Sequence, residues 1–230
     1  MTEHKENAPS FRNAKAGDII TFGIYPQLAD GTDRTPISWR VLQNSGGELL
    51  ILSEYILDCK RYHNDDKPYH SEDADITWHD CDLRKWLNDE FYNAAFDDDE
   101  KGIIKTAFCG GNGEGCPDTE DKVFLLSVDE VKTFTDATDE TAARRRAVGT
   151  DFAKIKKADG YRLYVYDKSI EKDYIIENGK KLGCSWWWTR TRGNHPSRAV
   201  FIGARSNIKR YGRVNLGGLG VRPALRIMTM

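Results

Sequence analysis

The residues of this chain best suited to chemistry are its histidines, acids and thiols, and their spacing limits what they can do. His63, His70 and His79 share a polar stretch with Asp65, Asp66, Asp73 and Asp75, and imidazole together with carboxylate can bind a divalent metal. No i, i+4 pair of histidines fixes a coordination geometry, so the stretch reads as a hydrophilic loop and no metal is expected. Five cysteines, Cys59, Cys81, Cys109, Cys116 and Cys184, form an odd set without a CxxC pair. That points to free thiols in a reducing compartment. The Gly-rich run from Cys109 to Cys116 could close as a disulfide or supply half of a zinc site, but nothing nearby completes four ligands. Cys81 and Cys184 are candidate nucleophiles, with nothing in the sequence to separate a reactive thiol from a buried one. The run Asp97-Asp98-Asp99-Glu100 lacks the alternating ligands of a calcium loop and reads as the acidic first turn of a helix. Nucleophile elbows, phosphate loops, dinucleotide fingerprints and HExxH are all absent. Local chemistry therefore supports neither an enzyme nor a cofactor.

Charge is distributed unevenly. The chain carries 34 Lys and Arg against 36 Asp and Glu, a net −2. No acid follows Glu177, whereas eleven Lys or Arg lie between Lys180 and Arg226. Such a split suits either a surface for anionic or polar partners or a basic end that packs against the acidic front half. Arg144-Arg145-Arg146 reads as a solvated basic face. No stretch reaches the roughly 18 apolar residues of a membrane span, and the first residues lack an apolar signal segment. The expectation is no membrane insertion, with a cytoplasmic or phage-particle location.

The elements that must position these groups follow from pattern. Residues 1–16 read as a flexible leader, and residues 17–230 as one continuous α+β domain. Segments 17–27 and 37–57 alternate as strands, with a hairpin at Asn44-Ser45-Gly46-Gly47. Leu83, Trp86, Leu87 and Phe91 fall at helical spacing, with Asp80 or Asp82 as N-cap. A second helix starts at 97, and Ser127-Val-Asp-Glu forms a capping box after an apolar strand. The C-terminal third, at 184–193, 197–203, 212–220 and 221–227, reads as short strands punctuated by glycine.

Seven segments in order, TFGIYPQ, ISWRVL, LLILSEYIL, LRKWLNDEFYNAAFDDDEKGII, DKVFLLSVDEV, SWWWTRTRG and GVRPALRI, carry a likeness over residues 17–227. The chain resembles a bacterial and phage domain family with the C-type-lectin-like, formylglycine-generating-enzyme-like fold, which includes variable proteins of diversity-generating retroelements. The resemblance implies short helices around a twisted antiparallel sheet with long loops, and a ligand-binding segment over 185–227. Its framework would be Trp186, Trp187, Arg190, Gly193, Ala199, Val200, Gly203, Gly212, Val214 and Gly220 to Leu225. Between these anchors, Arg192, Asn194, His195, Ser197, Arg198, Phe201, Arg205, Asn207, Lys209, Arg210, Tyr211, Asn215 and Leu219 would face a ligand. Tyr and Arg suit that role, because they supply large contact area and versatile hydrogen bonds. Related domains read Trp-Trp-Leu-Arg-Ser where this chain has Trp186-Trp187-Trp188-Thr189-Arg190-Thr191-Arg192, which leaves two registers, one residue apart, for the aromatic pair. Of the three tryptophans, two are expected in the core and one at the surface. Arg190 and Arg222 are expected as buried arginines that hold loops.

The function expected is thus non-enzymatic binding of a protein or other macromolecule through a variable C-terminal surface. One alternative is a formylglycine-generating-type cysteine oxidase, which needs two neighbouring thiols where only Cys184 lies. The other is binding of nucleic acid or another anion by the basic segment, with steep salt dependence; nucleic acid is not the partner expected. Calcium-dependent sugar binding lacks terminal carboxylates to hold the ion.

Overall fold

A computed structural model describes residues 11–64, 74–135 and 144–229. Its first strands are β1 (Ile19–Tyr25), β2 (Thr35–Ser45) and β3 (Glu48–Ser53). In β2 the side chains of Ile37, Trp39 and Val41 are fully buried, while Ser38 and Arg40 between them are half-buried, as a one-faced strand requires. The hairpin expected at Asn44-Ser45-Gly46-Gly47 forms, but Asn44 and Ser45 are still paired in β2, and the turn itself is the two residues Gly46 and Gly47, with φ values of 62° and 80°. β3 lies between β2 and the final strand, and its residues from Leu49 to Ser53 are buried on both faces.

After β4 (Asp58–Cys59) the chain forms α1 (Asp82–Trp86), a π-helical turn at Leu87–Phe91 and α2 (Tyr92–Ala95). The cap of α1 corrects the expectation of an aspartate. The sulfur of Cys81 accepts from the Arg84 amide at 3.4 Å. Asp82 is drawn away to the Asn64 amide and His63, and Asp80 to Thr77 and His79. Next, α3 (Asp98–Ile103) opens on a capping box between Asp97 and Glu100, which agrees with the acidic-cap reading of that run.

The chain then forms β5 (Ile104–Lys105), β6 (Ala107–Cys109), β7 (Thr119–Asp121) and β8 (Val123–Phe124). Ahead of α4 (Val128–Thr135), Ser127 and Glu130 make the expected capping box in both directions, at 3.1 and 2.8 Å. α5 (Asp151–Lys154), β9 (Tyr174–Glu177) and β10 (Lys180–Gly183) follow. The last elements are β11 (Trp187–Arg192), β12 (Arg198–Ile202), β13 (Ile208–Arg213), β14 (Gly220–Val221) and β15 (Ala224–Met228).

Two larger sheets organise the α+β chain. One runs β1-β2-β3-β15-β5, with β8 also paired to β15, and is antiparallel throughout. The other runs β13-β12-β11-β14-β4 and is antiparallel except where Trp187 of β11 meets Gly220 of β14. One hydrophobic cluster reaches from Phe11 to Ile227 and takes side chains from both sheets. Phe11 is buried edge-on to Phe22, and the Asn44 side chain binds the carbonyls of Arg12 and Ala14. The leader expected over 1–16 is therefore packed on the domain from residue 11, and its first ten residues lie outside the described ones.

Candidate ligand-binding surface

The surface is built on β11. Alternation sends Trp187 and Trp188 to opposite faces, and both are buried, with the indole N–H donated to the carbonyls of Arg145 and Lys60 at 2.8 and 3.0 Å. Two tryptophans are thus buried as expected, while Trp186, just before the strand, is half-buried against the core instead of exposed. Arg190 is 1 % exposed and spends its donors on Asn112, the carbonyls of Leu125 and Gly110, and the Glu130 carboxylate, at 2.5 to 2.9 Å. Arg222 is likewise buried, held by the carbonyls of Ser53, Arg144 and Glu54. Both are framework arginines, as expected.

These bonds also define the Gly-rich loop. Asn112 is buried and donates to the carbonyls of Cys109 and Pro117, and its own carbonyl accepts the Arg192 amide at 2.7 Å. The loop is thus a scaffold for the end of β11, and Cys109 and Cys116 are both free thiols. Burial pushes Cys59, Cys81 and Cys109 up to about 12 and Cys184 up to about 11, which leaves little thiolate near neutral pH. Cys184 packs with Val148 and Ala204.

The thirteen residues expected to face a ligand divide on burial. Asn194, Arg205, Asn207, Arg210 and Tyr211 are exposed; Arg192, His195, Arg198, Lys209 and Asn215 are half-buried. Ser197, Phe201 and Leu219 are buried, which corrects their placement at the surface. Phe201 lies against Trp186 and Trp188, Leu219 is part of the main core, and Ser197 turns its hydroxyl to His195 Nδ1 at 3.0 Å. Gly212 lets β13 approach that core, since a Cβ there would meet Trp188 at 2.7 Å and Phe201 at 2.8 Å.

Above Phe201 stands Tyr211, 52 % exposed, with ring centroids 5.6 Å apart and an interplanar angle of 90°. On the other side, Trp186 contacts Phe201 at 5.4 Å and stacks on Tyr164, which is 54 % exposed, at 5.4 Å and 26°. Tyr166 packs on the same indole at 5.7 Å. The result is a continuous aromatic strip, from Tyr164 through Trp186 and Phe201 to Tyr211, with Lys209 5.8 Å from the Tyr211 ring. Sequence reasoning missed Tyr164 and Tyr166; the available signal was three tyrosines within residues 161–166.

Several cations of the basic segment are answered by acids from earlier in the chain. Arg190 pairs with Glu130, Arg205 with buried Asp173 at 2.5 Å, and Arg192 with Asp75. The Arg205 guanidinium holds the Asp173 carboxyl below its usual range. Arg144, Arg145 and Arg146 are half-buried, and their contacts to Arg222, Thr135 and Tyr174 correct the reading of a solvated face.

Among the described residues no group of three or more His, Cys, Asp or Glu is arranged to hold a metal ion. His63 is 3.0 Å from Asp82, and His79 is 2.8 Å from Asp80. Asp65, Asp66, His70 and Asp73 lie outside the described residues. Among the described residues no helix is long and apolar enough to cross a membrane. Neither a curated protein nor a solved structure matches the chain. The profile of one family, a domain of unknown function (DUF6273), matches residues 46–229, from the β2–β3 turn to the end of β15, and the chain belongs to that family.

Proposed function

We propose that the chain is a non-enzymatic binding protein, a C-type-lectin-like scaffold that presents the β12–β13 hairpin and the adjoining aromatic strip to a macromolecular ligand. One observation carries this reading. Within a single segment, the side chains of Trp187, Trp188, Arg190, Val200, Ile202 and Val214 are buried, whereas Asn194, Arg205, Asn207, Arg210 and Tyr211 project outward. Substitution at the second set leaves the packing of the first unchanged, which is what a diversified surface needs. Exposed Tyr and Arg beside a supported aromatic strip match the composition of binding hot spots. The mixed α+β build, with antiparallel sheets and short helices, fits the scaffold.

The cysteine-oxidase alternative gains no support, because Cys184 is buried among Val148 and Ala204 with a raised thiol. Anion binding is weakened by the acids already paired with Arg190, Arg192 and Arg205.

Sequencing the gene and its flank across a mixed population tests the diversified form of the reading. Variation confined to the outward positions, beside a near-identical template repeat and a reverse transcriptase, is the outcome expected. Uniform codons would remove the retroelement. Equal variation at Trp187 or Arg190 would remove the division between framework and surface.

A further inference from the structure

Tyr164 and Tyr211 form the exposed ends of the aromatic strip, and each stands on a ring that holds it. Tyr164 lies stacked on Trp186 at 26°, whereas Tyr211 stands at 90° to Phe201. Phe201 is buried between them, so it serves as a base, and the contact area is that of the two tyrosines and the half-buried Trp186. Steps of 5.4, 5.4 and 5.6 Å between successive ring centres limit the span from Tyr164 to Tyr211 to what about five residues of polyproline II cover, at about 3.1 Å each.

The polar groups beside these rings are donors in search of acceptors. Neither phenol hydroxyl is hydrogen-bonded among the described residues, and Lys209, 5.8 Å from the Tyr211 ring, forms no ion pair among them. Arg162, two residues before Tyr164, is exposed and has no ionic partner there either. The acids at hand are engaged. Asp173, whose charge acts on Tyr166, is buried and held by Arg205 at 2.5 and 2.9 Å. Asp167 accepts from the Ser169 amide at 2.9 Å. Of the neighbouring cations, Arg210 borders the recess of Asp118 and Asp129, and Arg198 donates to the Tyr211 carbonyl at 2.9 Å.

Rings with unmet donors suit a ligand rich in apolar surface and acceptors and poor in donors. Proline is such a residue: it has no backbone N–H, its carbonyls stay unpaired in polyproline II, and its chain is extended before it binds, so little entropy is lost. A glycan would add hydroxyl donors where the carboxylates are already taken, and a nucleic acid would bring a row of phosphates that Lys209 and Arg162 alone do not neutralise. Resting on the reading of the strip as a binding surface, the geometry points to a proline-rich segment in the polyproline II conformation as its partner, with prolyl rings against Tyr164, Trp186 and Tyr211 and carbonyls toward the two hydroxyls and Lys209.

Titration of the full chain with capped octaproline, a Gly-Ser peptide of equal length, cellohexaose and oligothymidylate tests the site, with amide chemical shifts to locate it. Octaproline is expected to bind with shifts around Tyr164 and Tyr211 and little dependence on salt, and the Gly-Ser peptide to bind at least about tenfold more weakly. Tyr164→Ala and Tyr211→Ala should each weaken octaproline about tenfold, as loss of an aromatic anchor does, whereas Phe108→Ala, at an exposed ring on β6, should leave it unchanged. Unchanged melting midpoints establish that the variants fold. Absence of octaproline binding, equal binding of the Gly-Ser peptide, or shifts that map away from the two tyrosines would each overturn the proposal. Cellohexaose or oligothymidylate bound at those tyrosines in place of octaproline would overturn it too, while leaving the strip a binding surface.

Discussion

Arg190 and Arg210 stand two strands apart in the same sheet, in a stretch of chain with no acid after Glu177, and the fold treats them in opposite ways. Arg190 is enclosed by Asn112, Glu130 and two carbonyls, so its charge organises the Gly-rich loop and the start of α4. Arg210 is exposed at the mouth of a shallow recess lined by Gly113, Asp118 and Asp129. The same residue type is a structural fastener in one place and free contact area in the other. What separates them is the supply of oriented acceptors, since a buried guanidinium is tolerated only where its donors are met.

The strongest test of that contrast is Arg190→Met. It strands the Glu130 carboxylate and leaves the Asn112, Leu125 and Gly110 oxygens without their donor, so unfolding in urea should show a loss of about 3–5 kcal/mol. Lysine at 190 should recover little, because one ammonium cannot span a fork of acceptors. A loss below 1 kcal/mol would make Arg190 no more structural than Arg210. Gly212→Ala tests how closely the exposed hairpin is seated on the core. Overpacking against Trp188 and Phe201 should cost about 1–3 kcal/mol in the same measurement.

A smaller effect is expected at Arg205, which lies between the two extremes: half its side chain is exposed, yet its partner Asp173 is buried. The lowered carboxyl pKa of Asp173 makes this pair stabilising above the unfolded value of about 3.9, and the stability is lost as pH falls through the lower folded value. Arg205→Gln should therefore flatten the acid limb of a urea-midpoint profile and leave its slope above about pH 6 unaltered. At the far end of the scale, Tyr211→Ala and Arg210→Ala should each shift stability by no more than about 0.5 kcal/mol. A shift as large as that of Arg190→Met would erase the division between fastener and surface.

Local pattern was a sound guide where one segment supplies both partners of an interaction. The Asp97–Glu100 cap and the Ser127–Glu130 capping box need only neighbours in sequence and formed as read, and the hairpin turn formed two residues tighter, at Gly46-Gly47. It failed at Asp80 and Asp82, because Thr77, His79, His63 and the Asn64 amide compete for those carboxylates and leave Cys81 to cap the helix. The candidate surface was legible only in part for the same reason. Phe201 and Leu219 occupy the segment expected to vary, but nothing in their spacing reveals that Trp186, Trp188 and the main core enclose them.

By itself, then, the sequence determined the strand and helix periods, the tight turns, the burial of two of the three tryptophans and the concentration of cations after Glu177. These follow from side-chain size, backbone preference and charge, which act locally. Only tertiary structure decided which cations are neutralised, by bringing Asp75, Glu130 and Asp173 to Arg192, Arg190 and Arg205 from 32 to 117 residues away. It alone also placed Tyr164 and Tyr166 beside Trp186 to extend the aromatic strip. Pairings across such distances depend on how the sheets close on one core, and a residue's neighbours along the chain carry no record of them.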